Sequence, residues 1–261
     1  MHDRHLNRKK YFEEQSYTTE KYIIPYLNKI ISIGPNLTIA EIGCGEGGNL
    51  KPFLDLGCKV VGIDLAENKI TNAKKFFANH PNKNNLTLIS ENIYKVDPKQ
   101  LGPFDLIIMR DTLEHIHDQD SFLEHLKKFI APSGKVFFAF PPWRMPFGGH
   151  QQVCDSSILS RLPYFHLLPN KLYGGVLKLF GENEIKIRDL MEVKETRLSL
   201  FRFRKILTKR NYIIDDELFY LINPNYEIKF KLKPRKLPAI LNIPYMKDFF
   251  TTTYFCVISP K

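Results

Sequence analysis

No stretch of the 261 residues approaches the roughly 20 consecutive apolar residues that a membrane-spanning helix needs. The first residues, Met1-His2-Asp3-Arg4-His5, are polar and run into Arg8-Lys9-Lys10 without the apolar core of a signal peptide. The expectation is therefore a cytoplasmic chain. Cysteine is scarce: Cys44, Cys58, Cys154 and Cys256 lie far apart, form no CxxC pair and have no Cys/His ligand spacing, so they read as reduced, buried thiols. Internal repeats and low-complexity tracts are absent, which excludes solenoids and fibrous arrays. There is no Gly-x-Ser-x-Gly elbow and no phosphate loop, so hydrolase and nucleoside triphosphatase chemistry lack their usual residues.

Acidic residues are outnumbered. Lys and Arg total 38 against 28 Asp and Glu, a formal charge of +10. Such a surplus attracts anionic molecules, phosphates or acidic membranes. The cations fall into small clusters at Arg8-Lys9-Lys10, residues 202–210 and residues 229–236, without the single aromatic-studded run of a nucleic-acid surface, so a nucleic-acid partner is disfavoured. With 43% hydrophobic residues the chain carries ample material for a core.

Short runs rich in β-branched residues alternate with segments of helical spacing from Asn36 to about Phe140, the rhythm of βαβ units and a parallel sheet. Strands are expected at residues 38–42, 59–64, 86–90, 104–110 and 135–140. A helix at residues 122–130 should be closed by Pro132-Ser133-Gly134. Residues 1–35 read as a helical flank, interrupted at Pro25, and residues 36–261 as one domain. After Phe140 the rhythm breaks. Pro141, Pro142, Pro146, Gly148, Gly149, Pro163, Pro169, Gly174 and Gly175 punctuate an insertion from about 143 to 190. A helix at 193–209, a strand at 212–222 and a last strand near 252–259 complete the chain.

The strongest local signal is Ile39-Ala40-Glu41-Ile42-Gly43-Cys44-Gly45-Glu46-Gly47-Gly48-Asn49-Leu50, a strand running into a glycine turn and then a helix. Glycines there permit positive φ and let a ligand approach the backbone. Gly43, Gly45 and Gly48 also satisfy GxGxxG, which keeps a dinucleotide-dependent oxidoreductase in play. Glu41 and Glu46 argue the other way, because a pyrophosphate would be repelled by carboxylates beside it. Asp64, ending the second strand, suits a ribose of either cofactor.

Together with Gly62-Ile63-Asp64-Leu65, Phe104 to Ile108, Asp111-Thr112-Leu113-Glu114-His115-Ile116 and the segment from Leu126 to Phe140, this turn resembles the class I S-adenosylmethionine-dependent methyltransferases. The likeness is to their small-molecule branch, which includes quinone-biosynthesis enzymes, and it covers about residues 36–140. The resemblance implies a Rossmann-like, doubly wound α/β fold: a mostly parallel seven-stranded sheet, its last strand antiparallel, with a lid after the fifth strand. It implies S-adenosylmethionine as cofactor, S-adenosylhomocysteine (SAH) as product, and a small, partly apolar acceptor. Glu41, Gly43, Cys44, Gly45 and Gly47 would hold the methionine part, Asp64 the ribose, Leu65 and Ile93 the adenine faces, and Arg110 the methionine tail. Asn92 stands where the family often has Asp; its amide oxygen can accept from the adenine amino group.

Asp111 and Glu114 fit an acidic capping box at a helix start. His115 and His117 diverge on a helix, so no metal site is expected. Phe140-Pro141-Pro142-Trp143 resembles the Asp/Asn-Pro-Pro-aromatic motif of amino-group methyltransferases, but follows the fifth strand and begins with Phe; Trp143 is expected to shape a substrate wall instead. His150, beyond the carboxyl edge of that strand, is the candidate catalytic base and a substrate residue. The apolar residues of 143–190 suggest a lid and, with its basic residues, peripheral membrane contact. A non-catalytic nucleoside-binding module is the third reading. The acceptor, the methylated atom and the oligomeric state stay open at this level.

Overall fold

The computed structural model describes residues 7–261; Met1 to Leu6, including the polar start of the expected flank, lie outside the described residues. One sheet organises the chain, in the order β3-β2-β1-β4-β5-β8-β6-β7. Its parallel half is β1 (Thr38–Ile42), β2 (Lys59–Asp64), β3 (Leu86–Ser90), β4 (Phe104–Arg110) and β5 (Ile130–Phe140). β6 (Tyr212–Ile222) and β8 (Thr253–Pro260) follow, with β8 antiparallel to both β5 and β6. The seven expected strands are present, and the sheet has an eighth: the two-residue edge strand β7 (Arg235–Lys236), antiparallel to β6, too short and too cationic to read as a strand.

The central strands are buried on both faces, which is why they carry near-continuous apolar runs rather than alternation. β1 and β4 show it: Ile39, Ala40, Leu106, Ile107, Ile108 and Met109 are all at most 1% exposed. One face packs with α6 (Gln119–Leu126) and α9 (Leu200–Lys209), through Phe122, Leu126, Phe203 and Leu207. The other meets the N-terminal helix and α3 (Lys51–Asp55), through Ile23, Leu27, Phe53 and Leu54. α4 (Glu67–Phe76) and α5 (Pro98–Leu101) complete the crossovers.

Four local expectations are corrected. Pro25 does not break the N-terminal helix: α1 (Arg8–Thr18) passes through a π-helical turn at Thr19–Ile23 into α2 (Ile24–Leu27). The wider turn absorbs the amide that proline lacks, since Pro25 lies in the first turn of α2 and the Ile24 amide reaches back to Thr19. The expected helix at 193–209 is two, α8 (Glu184–Thr196) and α9, because Arg197 is left-handed and Ser199 caps the second. Pro132-Ser133-Gly134 lies inside β5, near a register shift against β4, while the preceding helix ends at Leu126 with a 3₁₀ turn to Phe129. The capping box at Asp111 does not form: Asp111 is left-handed, Leu113–His115 is one 3₁₀ turn, and Asp118 caps α6 by accepting from the Ser121 amide.

The segment after β5 consists of 3₁₀ turns followed by α7 (Asn170–Leu179) and α8. It has a small core of its own, built from Cys154, Leu159, Phe165, Tyr173, Leu177 and Leu190. After β6 come α10 (Asn225–Phe230), β7 and α11 (Lys247–Phe250). Among the described residues no helix is long and apolar enough to cross a membrane.

Candidate functional site

The site lies at the carboxyl edge of the parallel strands, where open α/β sheets bind ligands. After β1 the turn takes Gly43, Gly45 and Gly47 to positive φ of 78°, 56° and 79°. Their neighbours differ. A Cβ at Gly43 would lie 2.5 Å from Thr112 Oγ1, and one at Gly47 would lie 3.0 Å from Phe77. A Cβ at Gly45 would find only the Lys69 stem, at 3.9 Å, so this glycine faces open space. Cys44 is buried, its sulfur packed near Gly62, and only its backbone can take part.

Asp64 fastens the turn to the end of β2. Its Oδ2 accepts from the Gly45 amide and its Oδ1 from the Ala66 amide, both at 2.8 Å. Each carboxylate oxygen keeps a lone pair for a further donor. Leu65 beside it is 74% exposed, an unusual position for leucine, and Ile93 is buried. Asn92 caps a 3₁₀ turn by accepting from the Tyr94 amide, which leaves its NH₂ group and one lone pair.

Glu41 and Arg110 sit behind this groove rather than in it. Glu41 is fully buried, and its Oε1 accepts from Asn49 Nδ2 at 2.5 Å. Asn49 Oδ1 in turn accepts from Arg110 Nη1 at 2.6 Å and from Thr19 Oγ1 at 3.0 Å. Arg110 Nη2 donates to Asn225, which also accepts from Thr18 Oγ1. This chain of bonds ties β1, β4, the N-terminal helix and α10 together. Burial pushes the Glu41 carboxyl up to about 8, while Asn49 and the Arg110 charge pull the other way. The bonds that Glu41 and Arg110 make here are to protein groups and order the turn, while Glu41 Oε2 is buried without a hydrogen-bond partner.

α1 covers the start of the helix that follows the turn. A Cβ at Gly48 would lie 2.5 Å from the Phe12 carbonyl oxygen, and buried Glu46 pairs with Arg8. A dinucleotide's pyrophosphate would occupy that helix start. Here it is filled by protein.

Beyond Asp111 lies a chamber of about 250 Å³, lined among others by Tyr11, Gln15, Asp111, Met145, His150 and Tyr226. A second cavity of about 980 Å³, more apolar, shares Phe147, Gln152, Val153, Tyr226 and Thr252 with it, so the two adjoin. His150 is left-handed and half-buried, and the dense protein around its ring lowers its pKa to about 3. Its ring meets His115 edge-on at 5.0 Å. Glu114, His115 and His150 offer ligand atoms within 4.8 Å of one another, so this trio, not His115 with His117, is where the chain could hold a metal ion. Both Glu114 oxygens are buried without a hydrogen-bond partner, and burial holds that carboxyl well above the usual range.

Trp143 does not line either cavity. It is buried against His166, ring centroids 4.7 Å apart, with the Lys194 ammonium over its face at 5.5 Å. Its substrate role is therefore withdrawn; two consecutive prolines turn the chain so that the indole enters the insertion. Asn49, Asn225, Tyr11, Gln15 and Lys69 were not singled out by the sequence. Asn49 stands in the glycine turn, a visible signal, whereas Asn225 comes from the far end of the chain and carries none.

Residues 40–136 match the family model of a methyltransferase domain. The matched span runs from β1 into β5, the parallel half of the sheet. The chain is 33% identical over 131 residues to the ubiquinone biosynthesis O-methyltransferase of Bartonella tribocorum, covering 48% of this chain and 50% of that protein. It is 35% identical over 108 residues to the enzyme of the same name from Pelagibacter ubique, covering 40% and 42%. The chain thus spans about half the length of the curated relatives it matches. Two solved structures share the methyltransferase fold over nearly the whole chain. Magnesium protoporphyrin IX methyltransferase from Synechocystis PCC 6803 with bound SAH has a TM-score of 0.56 at 14% identity, covering 95% of this chain and 84% of the other. The plantazolicin methyltransferase BpumL, in complex with a pentazolic desmethylPZN analog and SAH, has 0.58 at 13%, covering 99% and 89%.

Proposed function

We propose that this protein is an S-adenosylmethionine-dependent methyltransferase acting on a small, partly apolar acceptor. The observation that carries the reading is the division of labour in the glycine turn: Gly45 is open beside the Asp64 carboxylate, while the helix start a pyrophosphate needs is covered by α1. The residues present fit the cofactor. The free lone pairs of Asp64 would take the two ribose hydroxyls, exposed Leu65 and buried Ile93 would flank the adenine, and Asn92 would accept from its amino group. The backbone at Gly43, Cys44 and Gly45 would follow the methionine part, with Gly47 keeping the turn's shape. Bound there, S-adenosylmethionine supplies an electrophilic sulfonium methyl group, which the acceptor's nucleophile displaces in line to leave SAH.

The protein's contribution is positioning, exclusion of water and a neutral hydrogen-bond acceptor for the acceptor's hydroxyl. His150 is neutral at physiological pH, so it adds no positive charge beside a sulfonium, and it accepts a hydrogen bond from an acceptor hydroxyl in the inner chamber. The outer cavity gives an apolar part of the acceptor its room, with Phe147, Val153 and Cys154 among its walls. The 143–190 insertion acts as the lid of this chamber, and an apolar acceptor brings with it peripheral contact with a membrane.

Mass spectrometry of small molecules released from protein purified without additions should find SAM or SAH. An acceptor screen read by SAH release should then separate wild type from His150→Ala, whose turnover falls at least tenfold while SAH affinity stays within severalfold. Unchanged turnover would remove His150 from the chemistry, and co-purified NAD would overturn the whole reading.

A further inference from the structure

From Ile228 to Lys247 the sequence holds six Lys or Arg residues and no Asp or Glu. Its first part alternates by residue type, Ile228-Lys229-Phe230-Lys231-Leu232-Lys233, yet forms no long strand. No residue from Asn225 to Lys247 is buried. Large apolar side chains therefore stand in solvent: Phe230 is 44% exposed, Leu232 47%, Ile243 51% and Ile240 81%. At its base the arm is fixed. Glu227 accepts from Tyr22 and pairs with Lys21 on the N-terminal helix, and Asn225 belongs to the buried Arg110 network.

The arm also borders the way into the site. Ile228 lines the inner chamber, and Phe230 and Leu232 line the outer cavity. Exposed aliphatic residues interleaved with cations, and free of any acid, match a surface that is apolar within and anionic at its face. A nucleic acid would use the cations but leave the aliphatic residues in water. We infer that the arm of residues 228–247 docks this protein on an anionic lipid bilayer, with the mouth of the outer cavity against the membrane. The site of membrane contact is thereby moved from the insertion to the arm. The inference rests on the proposed function only for what passes through that mouth.

The test uses the full chain and vesicles of phosphatidylcholine, with or without 30 mol% phosphatidylglycerol, scored by co-sedimentation in 0.15 M salt. Wild type should bind the anionic vesicles at least tenfold more tightly than the neutral ones. Lys231→Glu/Lys233→Glu/Lys236→Glu should lose that preference, and Ile240→Ser/Ile243→Ser should lower binding severalfold at unchanged charge. At 0.15 M the Debye length is about 8 Å, so only cations close to the lipid face contribute and 1 M salt should weaken binding sharply. Calorimetry with SAH and circular dichroism on the same variants report the cofactor site and the fold, and both should match wild type. No vesicle binding by wild type, equal binding to both compositions, or full binding by the charge variant overturns the inference, as does a tighter competing grip on a DNA duplex. None of these results bears on whether SAH binds.

Discussion

A methyl group added at Gly45 meets open space, whereas one added at Gly43 strikes Thr112 at 2.5 Å, and this difference separates binding from stability. Both positions have positive φ, so each Ala variant carries a backbone cost of about 1–2 kcal/mol. Gly43→Ala should add a steric penalty and lower the melting temperature further, while Gly45→Ala should melt a few degrees below wild type yet bind SAH at least tenfold more weakly. Equal affinities in the two variants would show that Gly45 does not face the ligand. Glu41 offers a second residue-level test. With its carboxyl raised from 4.5 to about 8, the folded chain holds a proton that the unfolded chain has released between those values. The stability this contributes is complete below about pH 4.5 and is lost as pH rises through 8. Glu41→Gln, which cannot titrate, should flatten the fall in stability from pH 5 to pH 8 by at least about 1 kcal/mol in urea melts; parallel curves would contradict the assignment. The turn, Asp64 and the strand ends were legible because their chemistry is local. The ordering role of Glu41 and Arg110 was not, since it depends on Asn225, 115 residues beyond Arg110.

Trp143 belongs to the insertion's interior, where its indole packs against His166 and beneath the Lys194 ammonium. Trp143→Ala should therefore cost about 3–5 kcal/mol of stability in that element, with SAH affinity within severalfold of wild type. Early melting of the insertion by hydrogen exchange would confirm it; loss of cofactor binding with normal protection would not fit. The lid role has a separate check, since proteolysis between 151 and 180 should be slowed by SAH plus acceptor. Six of the seven expected strands were read within a residue because β-branched runs and double burial mark them, whereas β5 begins at Ile130, five residues before the expected start at 135. Helix ends were read less well. Arg197 in a left-handed conformation and the π-turn ahead of Pro25 are backbone choices made by packing, and no residue type announces them. The sequence pattern showed the insertion's apolar content but not that Leu159, Phe165, Tyr173 and Leu177 bury one another.

At the scale of the whole molecule, the eight-stranded sheet carries three additions around one edge. α1 closes the helix start behind the glycine turn, the insertion walls the two cavities, and the arm after β6 places cations and aliphatic residues beside them. The net charge of +10 suits the proposed docking, since such a surplus favours anionic surfaces, and the lowered pKa of His150 keeps that imidazole neutral in the inner chamber. The central claim is that the groove along Gly45, Asp64 and Ile93 holds S-adenosylmethionine. Isothermal calorimetry on the purified chain, titrated with SAH and separately with NAD, addresses it most directly. The account predicts saturable one-to-one binding of SAH that weakens at least tenfold in Asp64→Ala, because hydrogen bonds to a carboxylate contribute on the order of 1.5–3 kcal/mol each, and no heat from NAD. Binding of NAD, or SAH affinity unchanged by Asp64→Ala, would contradict it.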